Sequence, residues 1–150
     1  MKKTTRTLTE TLKKTPAEAV EQYLKENEEN LIRENGSFAD YMRFQIKKKG
    51  LTQQNVFLAA DLSERYGYKL LSGQRHTSQR DTVLRLCFGA GFTLEETQQA
   101  LRRNGMAPLY PRVPRDIMLM IQLNQGNYDI YAVNSYLEEH HEPPLQGTEE

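Results

Sequence analysis

The chain has a single cysteine and no tryptophan in its 150 residues. One thiol, Cys87, excludes an internal disulfide framework and agrees with a reducing compartment. No apolar run approaches the roughly 20 residues that a membrane-crossing helix needs, so no membrane partner is expected. The opening stretch MKKTTRTLTE carries basic residues with no apolar segment behind them, which is not a secretory pattern. A cytoplasmic location is therefore expected, and the tripeptide Asn35-Gly36-Ser37 reads as a turn rather than a glycosylation site.

Chemistry-bearing constellations are scarce as well. No Ser/His/Asp set, glycine-rich phosphate loop or carboxylate pair stands out, so neither an enzyme nor a cofactor is expected. His140 and His141 are adjacent and point apart on a helix, which argues against a metal site. Cys87 sits on an apolar helix face, where a packed thiol is the natural reading.

Charge of one sign is also missing overall, since 20 Lys and Arg balance 20 Asp and Glu. The distribution is uneven, however. Tyr41 to Arg85 holds nine basic and three acidic residues, while Tyr128 to the end holds six acidic residues and no basic one. A basic middle beside an acidic tail lets a neutral chain offer phosphates a favourable face, although ordinary solvated helix faces would give the same count.

What remains is helical in pattern. No segment alternates apolar and polar residues long enough for a strand, and the fold class reads as all-α. TPAE (Thr15 to Glu18) has the form of a capping box with proline at the first helical position, opening a helix toward Glu34 to Gly36. SFAD (Ser37 to Asp40) opens the next, which ends at Gly50. SQRD (Ser78 to Asp81) and TLEE (Thr93 to Glu96) open two more.

The last third repeats its neighbour. In RDTVLRLCFGAGFTLEETQQALRRNGMAPL and RDIMLMIQLNQGNYDIYAVNSYLEEHHEPPL, Arg80-Asp81 matches Arg115-Asp116, Leu84 matches Leu119, and Gly91 matches Gly126. Beyond one inserted residue, Leu101 matches Leu137 and Pro108-Leu109 matches Pro144-Leu145. Each unit reads as two short helices closed by Pro-Leu, forming a tandem helical-hairpin extension. Three segments follow: an N-terminal helical segment (1–36), a central domain (37–105), and a second hairpin with an acidic tail (106–150). IMLMIQL (Ile117 to Leu123) is apolar nearly all round, and burial by the neighbouring hairpin is favoured over a subunit interface.

Residues 51–76 have helix-turn-helix spacing, with Ala59 and Ala60 supplying small residues at the helix crossing and Ser63 capping the second helix. Leu62, Tyr66 and Leu70 form an i, i+4, i+8 stripe. KKKGLTQQNVFLAADLS followed by LLSGQRHTSQRDTVLRLCFGAGFTLEE resembles the lambda-repressor-like, Xre/Cro-type helix-turn-helix family. The likeness rests on Leu51-Thr52-Gln53, on Ser72-Gly73-Gln74-Arg75 and on Ala90 to Glu96, and spans roughly residues 37–103.

The resemblance implies a five-helix DNA-binding domain in a transcriptional regulator, with double-stranded DNA as partner and a homodimer on two-fold sites. It implies phosphate contact by Gln53, a leading recognition turn of Ser63, Glu64, Arg65 and Tyr66, and further contacts from Lys69, Gln74 and Arg75. Three positions depart from the family. Asp61 stands at the usual turn glycine, Phe57 replaces a common alanine, and Gly67 replaces an aliphatic core residue. Glu64 would repel phosphates, although it can accept from a cytosine amino group. These departures keep a second reading open: a helical adaptor that binds protein, through the C-terminal hairpins among other surfaces, and no longer reads DNA.

Overall fold

A computed structural model describes residues 3–27 and 37–147. It divides into two compact units, Met1–Glu34 and Asn35–Glu150. Among the described residues there are nine α-helices and no strand, so the chain is all-α.

The first unit contains α1 (Thr5–Lys13) and α2 (Val20–Glu26). Thr4 caps α1 by accepting from Thr7 N–H, and α1 was not anticipated from the sequence. The capping box expected at Thr15 does not form. Pro16 occupies the cap position of a 3-10 turn, Ala17–Ala19, without a side-chain bond. The Thr15 hydroxyl instead donates backward to Thr11 O at 2.8 Å, extending the preceding helix's pattern. Helix α2 ends at Asn27, and the expected continuation to Glu34 to Gly36 lies outside the described residues.

The second unit holds α3 (Phe38–Lys48), α4 (Gln53–Ala60), α5 (Glu64–Leu71), α6 (Arg80–Gly89), α7 (Leu94–Arg103), α8 (Pro114–Gln125) and α9 (Ile130–Glu139). Side-chain caps at Ser37, Thr52, Ser63, Thr93 and Asp129 fix five of the starts. Thr93 and Glu96 complete a reciprocal capping box on α7. Ser78 does not cap α6: the cap position falls on Gln79 and carries no side-chain bond. Thr77 accepts from Gln79 N–H at 3.1 Å just ahead of the helix, which moves the start along by one residue.

Helix α6 is the axis of this unit. Its residues Thr82 through Phe88 are all buried, because α4, α7 and α9 pack around it. The closest approach is at Gly89, where a Cβ would lie 2.7 Å from Val56 O and 3.1 Å from Ala60 Cβ. Ala60 is fully buried, but against Gly89 of α6 rather than at the expected α4–α5 crossing, and Ala59 is exposed. Cys87 is buried on the same helix, and burial pushes its thiol well above the usual range.

The sequence repeat is realised as two hairpins, α6–α7 and α8–α9, tied by a crossed exchange. Arg80 bonds the Asp116 carboxylate with both terminal nitrogens, one at 3.1 Å, while Arg115 bonds Asp81 twice at 3.0 Å. Asp116 also accepts from Tyr110 N–H at 2.9 Å, and Asp81 accepts from Gln146 N–H at the same distance. The Pro-Leu closures follow the same rule. Gln98 holds the Leu109 backbone, and Asn134, at the equivalent position, accepts from Leu145 N–H. Leu84, Leu119, Leu101 and Leu137 are fully buried between these clasps. The segment IMLMIQL is only partly enclosed, contrary to the burial favoured from sequence. Leu119 and Leu123 face inward, but Ile117 and Ile121 are each 38% exposed.

Candidate nucleic-acid interface

Helices α4 and α5 meet across Asp61, Leu62 and Ser63. Asp61 has φ 55° and ψ 46°, the left-handed geometry that Asp tolerates better than most side chains. Leu62 N–H returns to Phe57 O at 3.0 Å, closing the end of α4. The turn is then clamped from beneath by Arg85, which is 5% exposed. Its Nε donates to Ala60 O at 2.9 Å, one terminal nitrogen bonds the Asp61 carboxylate at 3.1 Å, and the other bonds Leu145 O at 3.0 Å. Arg85 was part of the basic excess in the sequence, and it is spent on structure.

Other cations in that stretch are consumed likewise. Arg43 pairs with Asp40, Arg80 with Asp116, and Lys49 with Glu96 at 2.9 Å. Partial burial alone would raise the Glu96 carboxyl. The Lys49 hydrogen bond and the Thr93 cap outweigh it and hold the group below the usual carboxylate range. Tyr41 packs edge-on to Phe92 nearby, and burial first, then the Glu96 charge, pushes its hydroxyl up to about 12. Among the described residues Lys47, Lys48, Arg65, Lys69 and Arg75 make no ion pair. Five cations are thus left with one unpaired carboxylate, Glu64, in the same stretch.

Helix α5 shows how the candidate residues are presented. Ser63 caps it, accepting from Tyr66 N–H at 3.2 Å. Leu62, Tyr66, Gly67, Leu70 and Leu71 face the core, so Glu64, Arg65 and Tyr68 are exposed and Lys69 is half-exposed. Gln53 is half-buried at the start of α4. Gln74 and Arg75 are exposed just past α5, held by Gln74 N–H to Ser72 Oγ at 3.3 Å and Arg75 N–H to Lys69 O at 3.0 Å. Tyr66 is the exception among the expected contact residues. It is only 4% exposed, and its hydroxyl is buried without a partner among the described residues. Helical spacing is the cause, because the Leu62, Tyr66, Leu70 stripe that builds the core cannot also face a ligand.

Tyr68 takes the outward position instead, at 45% exposure. The sequence signal for it was the same stripe, since a residue two positions from the stripe points to the opposite side. Beneath it lies the pairing that explains two departures at once. A Cβ on Gly67 would fall 2.5 Å from Phe57 Cδ1, so the glycine is the space that the Phe57 ring fills. That ring meets Tyr68 edge-to-face, with centroids 4.9 Å apart at 88°. A larger residue on α4 is compensated by a smaller one on α5.

Among the described residues no helix is long and apolar enough to cross a membrane, and no three His, Cys, Asp or Glu side chains gather as metal ligands. The architecture defines an all-α protein. No family model matches the chain, and no curated protein or solved structure is significantly similar to it.

Proposed function

We propose that the protein is a sequence-specific DNA-binding transcriptional regulator, with α4 and α5 acting as an Xre-type helix-turn-helix in a lambda-repressor-like domain. The observation that supports this best is the outward face of α5. A capped helix, braced by a clamped turn, presents Arg65 and Lys69 to solvent without acidic partners among the described residues. In the proposed complex α5 enters the major groove and Arg65 reads a base edge with its two-pronged guanidinium. Lys69 and Arg75 contact phosphates, with Gln53 and Gln74 adding neutral hydrogen bonds. Glu64 biases the site toward a cytosine amino group and against a nearby phosphate.

The test is a salt titration of duplex binding with two variants. Affinity should fall steeply as salt rises. Arg65→Ala should cost about 1–3 kcal/mol at one base position, and Lys69→Ala should weaken all sequences alike and reduce the salt slope by about 1. Equal binding by both variants and wild type would remove α5 from the interface.

A protein-binding adaptor is the second reading. Leu58 at 80% and Phe44 at 62% exposure favour it, because large apolar side chains so fully in water often mark protein contacts. Loss of the salt dependence, with retention of an apolar partner, would select it.

A further inference from the structure

The two hairpins close in the same way, and their closures reach different partners. Residues 143–147, past the end of α9, form no helix or strand, and among the described residues every hydrogen bond that holds them involves a side chain. Arg115 donates to Pro143 O at 3.0 Å and to Pro144 O at 3.1 Å. Asn134 accepts from Leu145 N–H at 2.8 Å, Asp81 accepts from Gln146 N–H, and Leu145 is only 3% exposed. This strap ends on Arg85. Leu145 O accepts from one terminal nitrogen of that guanidinium, and a Cβ on Gly147 would lie 2.6 Å from the same nitrogen. The φ of Gly147 lies outside the left-handed region, so close approach, and not backbone conformation, calls for glycine there.

The rest of the guanidinium holds the α4–α5 turn, through Ala60 O and the Asp61 carboxylate. A buried guanidinium that loses one acceptor either strands a donor or shifts, and a shift draws it off its other acceptors. The first hairpin lacks this link. Its closure, Leu109-Tyr110, is held alike by Gln98 and Asp116, but the α8 residue equivalent to Arg85 is Met120. Only the second closure reaches a cation that grips the turn. We infer that the strap 143–147 positions the α4–α5 turn through Arg85, so that the face α5 offers to duplex DNA is set by the closure of the second hairpin. The part played by DNA rests on the function proposed above; the link from strap to turn does not.

The test compares variants of the full chain at matched positions of the two closures. Leu145→Ala and Leu109→Ala each truncate a leucine that is 3% exposed, and Gly147→Ala presses on Arg85 directly. Hydrogen exchange at Leu62 N–H, bonded to Phe57 O inside the turn, is read by NMR against Phe92 N–H, bonded to Cys87 O between α6 and α7. Leu145→Ala and Gly147→Ala should speed Leu62 relative to Phe92 by about tenfold, as loss of one charge-assisted hydrogen bond would. Leu109→Ala should leave that ratio unchanged, which a merely structural role for both closures would not allow. Each variant is also titrated with a duplex enriched by the wild-type chain from a random library, and with random-sequence duplex of equal length. The ratio of the two affinities should fall by about tenfold in the strap variants alone. If Leu145→Ala does not fold, Gly147→Ala decides by itself. An exchange ratio untouched by Gly147→Ala, or moved as far by Leu109→Ala, overturns the inference. So does a loosened turn with sequence discrimination intact. A wild-type chain that retains no duplex removes the DNA reading alone, and the exchange ratio still decides the strap.

Discussion

Gly67 and Phe57 show how far a single side chain carries the argument. Each departs from the pattern of the family that the sequence resembles, and each by itself implies only an altered packing. Together they are one exchange of volume across the α4–α5 crossing, legible only once the ring is seen over the glycine. Gly67→Ala should therefore cost about 1–3 kcal/mol by overpacking, despite alanine's better helix propensity. Phe57→Ala should cost about 3–5 kcal/mol, and the double variant should cost clearly less than the sum, which urea denaturation of all four proteins would reveal. Additive losses would mean that the ring and the glycine do not share a site. Tyr66 supplies a second check. With its hydroxyl buried and without a partner among the described residues, Tyr66→Phe should raise the melting temperature and leave duplex binding unchanged. Lost DNA affinity in that variant would return Tyr66 to the interface.

Helix ends were the best-read elements. Ser37, Ser63 and Thr93 were legible as caps, because a short oxygen-bearing side chain before an apolar pattern has few other uses. Thr15 and Ser78 failed because a cap depends on backbone geometry that the neighbouring turn decides, and α1 was missed because its helix carries no buried side chain to mark a periodicity. The hairpin repeat was visible, but the exchange of Arg80 with Asp116 and Arg115 with Asp81 was not, since sequence pairs equivalent residues and the fold pairs opposite ones. Asp116, at 3% side-chain exposure, should be the dearer member to lose. Asp116→Ala should cost about 3–5 kcal/mol by stranding its donors, and Asp81→Ala less, since its side chain is 16% exposed. Equal melting temperatures for the two variants would contradict the clasp. The α3–α7 contact makes a pH-dependent prediction. The folded Glu96 carboxyl is held below its unfolded value of about 4.3. Its contribution is then present above that pH and is lost as pH falls through the folded value. Glu96→Gln should be less stable than wild type at neutral pH, with the gap closing in acid. A gap that persists below the titration would assign the loss to packing.

Over the whole molecule, net charge and basic excess turned out to be different quantities. Four of the nine basic residues between Tyr41 and Arg85 are tied to acids, and Arg85 in particular braces the turn from inside. Composition could not separate these from Arg65, Lys69 and Arg75, because pairing is a property of the fold. The all-α class followed from the periodicity of the sequence, whereas the placing of Glu64 and Arg65 on a leading turn was implied by the family resemblance; both residues are exposed. Tyr68 at the outer centre of α5 was missed in favour of Tyr66, although the Leu62, Tyr66, Leu70 stripe already turned Tyr66 inward. The claim that α5 reads DNA is tested most directly by selecting duplexes from a random library on the purified full chain at low salt. The account predicts enrichment of a defined motif that Arg65→Ala alters at a limited number of positions. Absence of retained duplex even at low salt, or retention without any enriched motif, would contradict it.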